Sequence, residues 1–261
     1  MRLQVLVSAV NADAKELAEK MNLQTDVLIV NQCDHYAYDV FERDGKRIQC
    51  YSMAERGVGL SRNTALMRCD ADLCLFGDED IVYEAGYEKT ILEEFEKHPE
   101  ADVLLFNVKV CEERRTYWND SFGRVRAYNS GRYPAYSIAA RRDRLIAKNL
   151  SFHLCFGGGA KYSNGEDSLF LRDVVRAGLK VYKTPALIGE EIPRPSTWFH
   201  GFNDKFFYDR GVLYGELYGP IMAPVRAWRW LLKNEKEFCA DYPRAKAMAM
   251  MKKGWRDGIL P

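Results

Sequence analysis

The 261 residues contain no stretch approaching the roughly 20 consecutive apolar side chains that cross a bilayer. The apolar run within residues 1–8 is too short for a secretion signal and soon meets Asn11, Asp13 and Lys15. Neither sign of charge dominates. With 38 Lys and Arg against 37 Asp and Glu, the formal net charge is +1, so there is no global basic field to draw nucleic acid and any phosphate binding has to be local. The seven cysteines are odd in number, scattered and without a C-x-x-C pair, which speaks against a disulfide frame or a zinc site and for reduced thiols in a cytoplasmic protein. No G-x-G-x-x-G follows the first apolar segment, so the usual dinucleotide fingerprint is missing. Internal repeats and low-complexity tracts are absent as well. What remains is an ordinary globular composition, 47% hydrophobic and 29% charged, enough for one good core and a small appended lobe.

The stretch that organises the rest is Leu73-Cys74-Leu75-Phe76-Gly77-Asp78-Glu79-Asp80, an apolar run that stops on three carboxylates. A continuous apolar run fits a parallel strand buried on both faces, and its acids then sit at the carboxyl end, where open α/β sheets bind ligands. Oxygen-only groups of this kind suit Mg²⁺ or Mn²⁺, although a solvated acidic turn has the same sequence. Upstream, residues 3–9 read as a strand carrying Ser8 near its end. Ala14, Leu17, Ala18 and Met21 then recur at helical spacing, and residues 26–30 return as a second strand. The polar cluster Asn31-Gln32-Cys33-Asp34 at its carboxyl end either meets a nucleobase or is a plain loop. Residues 47–53 read as a further strand. In the following segment Gly57 and Gly59 permit a turn, Ser61 can cap a helix whose free amides welcome an anion, and Arg62 adds a planar fork for phosphate or carboxylate.

Gly59, Ser61, Arg62, Asn63, Ala65 and Leu66, then an apolar strand, then the D-x-D of Asp78 and Asp80, together resemble the nucleotide-sugar domain of the family 2 glycosyltransferases with the GT-A fold. Counted from Gly59 and Ser61, the family's G-x-S-x-A-R-N is shorter here and lacks Ala before Arg62. The resemblance implies an α/β fold, a Rossmann-like mixed sheet flanked by helices, with residues 1–110 binding the nucleotide sugar, 111–200 the acceptor, and 201–261 forming a helical extension. It also implies a catalytic base beyond the metal loop. Residues 111–133 are long, irregular and rich in Arg and aromatics, suiting either a sugar acceptor or a ribbon packed on the domain. Residues 134–140 read as a strand and 141–148 as a short helix. A glycine-broken passage, Phe156-Gly157-Gly158-Gly159, then leads to Glu166-Asp167 at the start of a helix with Phe170, Leu171, Val174 and Val175 on its apolar side. Acids in a first helical turn are commonplace. In the family an E-D pair stands here and its Asp is the base, so the role falls on Asp167 with Glu166 beside it.

By the same resemblance Ser8, Asn31, Asp34, Arg62, Asp78 and Glu79 contact the nucleotide sugar, Asp80 and Asp78 hold the Mn²⁺ or Mg²⁺, and His200 contacts the metal or diphosphate unless it is structural. A strand over 179–184 is expected to end at Pro185, and residues 202–218 to form an aromatic-rich helix over the acceptor side or a homodimer surface. The last stretch, with Arg226, Trp228, Trp230, Lys252 and Trp255, reads either as a basic interfacial helix bringing a cytoplasmic enzyme to the inner face of the cell membrane or as a solvated helix packed through its tryptophans. The implied reaction is inverting transfer from a nucleotide sugar, UDP being the commoner nucleotide, to a saccharide or lipid-linked acceptor, as in surface polysaccharide assembly. Two rivals remain. Asp78-Glu79-Asp80-Ile81-Val82 also fits the D-x-D-x-V nucleophile of haloacid-dehalogenase-like phosphatases, and a non-catalytic nucleotide-sugar-binding module would keep the fold without turnover.

Overall fold

The structure, a computed structural model, describes residues 1–112, 114–193 and 201–258. Its first half alternates strands and helices: β1 (Leu3–Val10), α1 (Ala14–Lys20), β2 (Asp26–Gln32), β3 (Ala37–Arg43), β4 (Lys46–Met53), α2 (Val58–Arg68), β5 (Leu73–Asp78), β6 (Ile81–Tyr83), α3 (Tyr87–Lys97) and β7 (Val103–Lys109). The second half brings β8 (Gly123–Arg124), a 3₁₀ turn (Ala135–Ser137), β9 (Ile138–Arg141), α4 (Arg142–Ala147), α5 (Glu166–Arg176), β10 (Val181–Glu191), α6 (Asp204–Lys233), α7 (Glu235–Phe238) and α8 (Arg244–Asp257). Among the described residues all ten strands join one mixed sheet in the order β3-β4-β2-β1-β5-β9-β7-β10-β6, with β8 on β10. β4, β2, β1 and β5 run parallel, and β9 is antiparallel to β5 and β7.

β1, β2 and β5 are apolar throughout because both sheet faces are covered. Val5, Val7, Ile29 and Leu75 point into one core with α1 and α3, while Leu6, Leu28, Cys74 and Phe76 point into another with α2 and α5. The register sets Ser8 opposite Asp78, so the carboxyl ends of β1 and β5 share one rim. α1 begins where Asp13 accepts hydrogen bonds from the Lys15 and Glu16 amides at 2.8 and 3.0 Å.

The structure differs from the sequence reading in several places. β3 was not expected, because its residues are mostly exposed and give no apolar pattern. Its signal is the Asp44-Gly45 pair, both at positive φ, which closes the β3–β4 hairpin. Residues 134–140 are not one strand, since a 3₁₀ turn precedes β9. β10 does not end at Pro185. It continues to Glu191 through register shifts between Lys183 and Gly189 that accommodate the proline, whose carbonyl accepts from Asn107 Nδ2 at 3.1 Å. Residues 111–133 are less open than a binding loop would be: Tyr117, Asn119, Val125 and Tyr133 are buried, and Tyr117 donates to the Phe106 carbonyl at 2.8 Å. Only part of the segment, Trp118 and Tyr128 among its aromatics, faces outward.

The C-terminal helices have their own core. Phe207, Phe238, Met251 and Trp255 pack together, so the first half of α6 lies against α8. Gly211 and Gly254 permit this approach: a Cβ on Gly211 would stand 2.2 Å from the Met251 carbonyl oxygen, and one on Gly254 2.1 Å from that of Tyr208. α6 breaks at Gly219, where φ is 68°, and resumes at Pro220. Trp255 is buried and Trp230 stacks on Phe238, so the apolar surface left exposed belongs not to α8 but to the second half of α6.

Candidate active site

The centre of the site is Arg62, on α2. Its Nη2 donates to Asp78 Oδ1 at 2.8 Å, and its Nη1 reaches both Glu166 Oε1 and Asp167 Oδ1 at 2.9 Å. One guanidinium therefore joins Asp78 at the end of β5 to Glu166 and Asp167 in the first turn of α5, far apart in the chain. Two contact lengths and the width of a planar guanidinium put the carboxylates of Asp78 and Asp167 within roughly 8 Å of each other, in a single cleft. The Arg62 side chain is only 3% exposed, whereas Asp78 and Asp167 keep 26% and 24%. The guanidinium also lies over the Phe152 ring at 5.2 Å, and Phe152 stacks on Phe170 at 4.0 Å.

The residues around Arg62 explain the motif that carries it. Gly59 and Asn63 lie one turn apart on one face of α2. A Cβ on Gly59 would sit 2.8 Å from the His153 carbonyl oxygen, and Asn63 clasps Phe152 by donating to its carbonyl at 2.9 Å and accepting from its amide at 2.7 Å. Ser61 does not cap the helix: Gly57 stands at the cap position without a side-chain bond, and the Ser61 hydroxyl donates to Ser8 Oγ at 2.9 Å. The glycine passage meets the same surface. Gly157, at φ 103°, leaves room where a Cβ would be 2.5 Å from Val58 Cγ1 and 2.7 Å from Glu166 Cδ, and the Val58 amide donates to the Gly158 carbonyl at 2.9 Å.

The electrostatics follow from three acids around one base. Burial works against the charge on Arg62, but Asp78, Asp167 and Glu166 outweigh it and hold its pKa above the ordinary arginine value. Asp167 goes the other way. Burial, then the charges of Glu166 and Asp78, push its pKa well above the usual aspartate value despite opposition from Arg62 and from a hydrogen bond given by the Ala135 amide. Tyr136, beside Ala135, is a residue the sequence reading missed. Its pKa is raised, chiefly by burial and further by Tyr117, Glu191, Asp78 and Asp167, which marks it as a neighbour of the acid cluster.

The remaining candidates divide between the rim and the scaffold. Asp80 is buried at the turn into β6, and its carbonyl accepts from the Ile192 amide at 2.8 Å. Glu79 Oε2 accepts from the Val10 amide at 2.8 Å, so it ties the acid loop to β1 where the sequence suggested a ligand contact. The Asn31 amide is engaged on both sides by the Ala12 backbone at 3.0 Å and braces the loop after β1. Arg62 meets protein carboxylates and is not an exposed fork for a diphosphate. Ser8 is buried under Ser61. Asp34 stands exposed after β2, with its pKa lowered first by the hydrogen bond from His35 at 2.9 Å. His200 lies outside the described residues. Among those described, only Cys33, Asp34 and His35 bring three metal-type ligand atoms within 4.8 Å of one another, so Asp78 and Asp80 are not part of a ready-made three-ligand cage.

The mixed, mostly parallel sheet flanked by helices, with further helices at the C-terminal end, matches the GT-A fold of solved glycosyltransferases. Among solved structures the chain is similar to S. aureus TarS residues 1–349 in complex with UDP-GlcNAc, with a TM-score of 0.60, 15% identity, and coverage of 92% of this chain and 74% of that one. It is also similar to the mannosyltransferase PcManGT from Pyrobaculum calidifontis in complex with GDP-Man and Mn²⁺, with a TM-score of 0.52, 13% identity, and coverage of 99% and 87%. Curated proteins compared by sequence give no match. The profile of Glycosyl transferase family 2 matches residues 10–163, a span that includes Arg62, Asp78 and Asp80 and stops just short of Glu166. The chain belongs to that family and is a glycosyltransferase of the GT-A fold. The phosphatase alternative falls with this assignment. Asp78 ends the fifth strand of the chain, not the first strand of a core, and is bonded by Arg62.

Proposed function

We propose that the protein is an inverting, metal-dependent enzyme that moves a hexose from a nucleoside diphosphate sugar, UDP being the first nucleotide to try, to a hydroxyl of a saccharide or lipid-linked acceptor in surface polysaccharide assembly. The observation that carries this reading is the cleft that Asp78 and Asp167 share on either side of Arg62. The donor class draws further support from the neighbours TarS, solved with UDP-GlcNAc and with UDP, and PcManGT, solved with GDP-Man and Mn²⁺.

The residues fit a divalent cation. Three carboxylates, those of Asp78, Glu166 and Asp167, share the single charge of Arg62, so the cluster is net acidic, and Asp80 lies buried two residues past Asp78. Two carboxylates two residues apart suit Mn²⁺ or Mg²⁺, which take one or two carboxylates and complete their shell with water and substrate phosphate. Asp80 and Asp78 would hold the ion, which supplies positive charge for a diphosphate leaving group. Asp167 takes the proton from the acceptor hydroxyl as the new C–O bond forms on the face opposite the departing diphosphate, and the anomeric configuration inverts. Its raised pKa makes it a stronger base than a solvated aspartate, and Arg62 and the Ala135 amide hold its carboxylate in place.

A thermal-shift screen of nucleotide sugars with and without Mn²⁺ tests the proposal. A donor at about 100 times its Kd adds about 2.7 kcal/mol to stability, and that gain should depend on the metal. A screen in which no nucleotide sugar shifts the melting temperature under either condition would overturn the reading.

A further inference from the structure

The second half of α6, residues 220–233, buries one side and exposes another that is also apolar. Ala223, Ala227 and Leu231 face the C-terminal core, while Ile221 is 83% exposed and Val225, Trp228 and Leu232 are each about half exposed. Spacings of four, three and four residues place these four on one stripe of the helix, with Met222, also exposed, at its edge. A contiguous apolar stripe along a helix marks a binding face, unlike scattered single residues.

The charges beside the stripe are mostly positive, Glu235 at its end being paired with Arg244. Residues 217–234 contain Arg226, Arg229 and Lys233 and no acid, and residues 244–256 contain five cations and no acid. Arg229 and Lys233 are exposed along the Met222 flank. On another side Arg244, at the start of α8, brings its guanidinium over the Trp228 ring at 5.5 Å while also meeting Glu235 at 3.0 Å. At about 1.5 Å per residue the segment is roughly 21 Å long, and no helix among the described residues is long and apolar enough to span a membrane. An apolar stripe bordered by cations, with a tryptophan on it, matches a surface that is greasy below and anionic above. We infer that residues 220–233 form an interfacial helix that seats the protein on an anionic lipid bilayer, with the Ile221–Leu232 stripe entering the headgroup boundary and Arg229, Lys233 and Arg244 meeting lipid phosphates. The first half of α6, on the other side of the break at Gly219, packs against the start of α5, where Gly165 leaves no room for a Cβ beside Leu213. This inference does not depend on which sugar is transferred.

The full chain should co-sediment with phosphatidylcholine vesicles containing phosphatidylglycerol, and weakly or not at all with phosphatidylcholine alone. The V225E/W228E double variant should lose about tenfold or more of that partitioning, since two part-buried apolar contacts are removed. R229E/K233E should lose it chiefly at low salt. Should V225E/W228E melt at a lower temperature than the parent, the milder I221S/L232S pair decides. Three results would each overturn the inference: no partitioning into anionic vesicles, equal partitioning by the stripe variants, or a dimer in light scattering that the stripe variants dissociate, which would give the face to a second copy of the chain.

Discussion

Replacing Arg62 with methionine tests the arrangement at the centre of the site. Methionine keeps much of the length and apolar contact with Phe152 but removes the one cation facing Asp78, Glu166 and Asp167. Breaking a buried ion pair by deleting one partner typically costs 3–5 kcal/mol, because a charge is left buried and uncompensated. Here two of the three carboxylates keep about a quarter of their side chains in contact with water, so the low end applies, about 3 kcal/mol. For a chain of this size that corresponds to a fall in melting temperature of roughly 6–12 °C in the presence of a chelator. The same substitution in an Asp167→Asn background should cost less, because one of the stranded charges is already gone, and the difference is the coupling energy, of order 0.5–3 kcal/mol. Thermal denaturation of the four proteins of this cycle is the assay. A fall below about 2 °C for Arg62→Met, or the same fall in both backgrounds, would refute the three-carboxylate account.

Three further outcomes are expected. Asp167→Asn should abolish transfer while donor binding by thermal shift persists, and it should raise the melting temperature of the metal-free protein near neutral pH. The raised pKa of Asp167 means that its ionisation costs stability: the cost is absent below the unfolded value of about 3.9 and complete above the folded one, so the gain from Asn should vanish as pH is lowered, and a gain that persists in acid would contradict it. If Asp167 is the base, the acid limb of the kcat/KM profile lies above the ordinary aspartate value, and a limb at or below about 3.9 would count against it. Gly157→Ala forces a left-handed residue to carry a Cβ against Val58 and Glu166, costing about 1–3 kcal/mol from backbone strain alone and lowering transfer more than Gly158→Ala, whose Cβ meets nothing; equal effects of the two would remove the packing argument. Asn63→Ala, which leaves the Phe152 amide and carbonyl without their clasp, should lower stability by about 1–3 kcal/mol by denaturant titration.

The alternation of strands and helices was legible from local pattern. The β1-α1-β2 opening, β4, β5 and the helix at Glu166 follow from apolar runs and spacing, because each buries a face whose spacing is fixed by its own geometry, and the helix at Val58 from the glycine turn before it. Exposed β3 and the bulged end of β10 escaped because an edge strand needs no apolar stripe, and because Asn107 and the neighbouring register shifts accommodate a proline that local rules treat as a stop. Site residues were legible as types and order but not as partners. Arg62 could be read as a fork for some anion, yet its acids lie 16, 104 and 105 residues away, and only the closing of α5 onto the end of β5 selects them.

The same division separates ligand groups from struts. By itself the sequence determined the strands and helices that bury an apolar face, that a cluster of acids ends a buried strand, and that the motif order belongs to a glycosyltransferase, since these depend on residue type and on spacing over a few turns. The tertiary structure decided that Asn31 and Glu79 fasten backbone, that Gly59 and Asn63 clamp Phe152, and that one arginine holds two halves of the cleft together. Hydrogen-bonding groups and charges are satisfied by whatever the completed chain brings within about 3 Å, and that proximity is a property of packing, not of neighbouring letters.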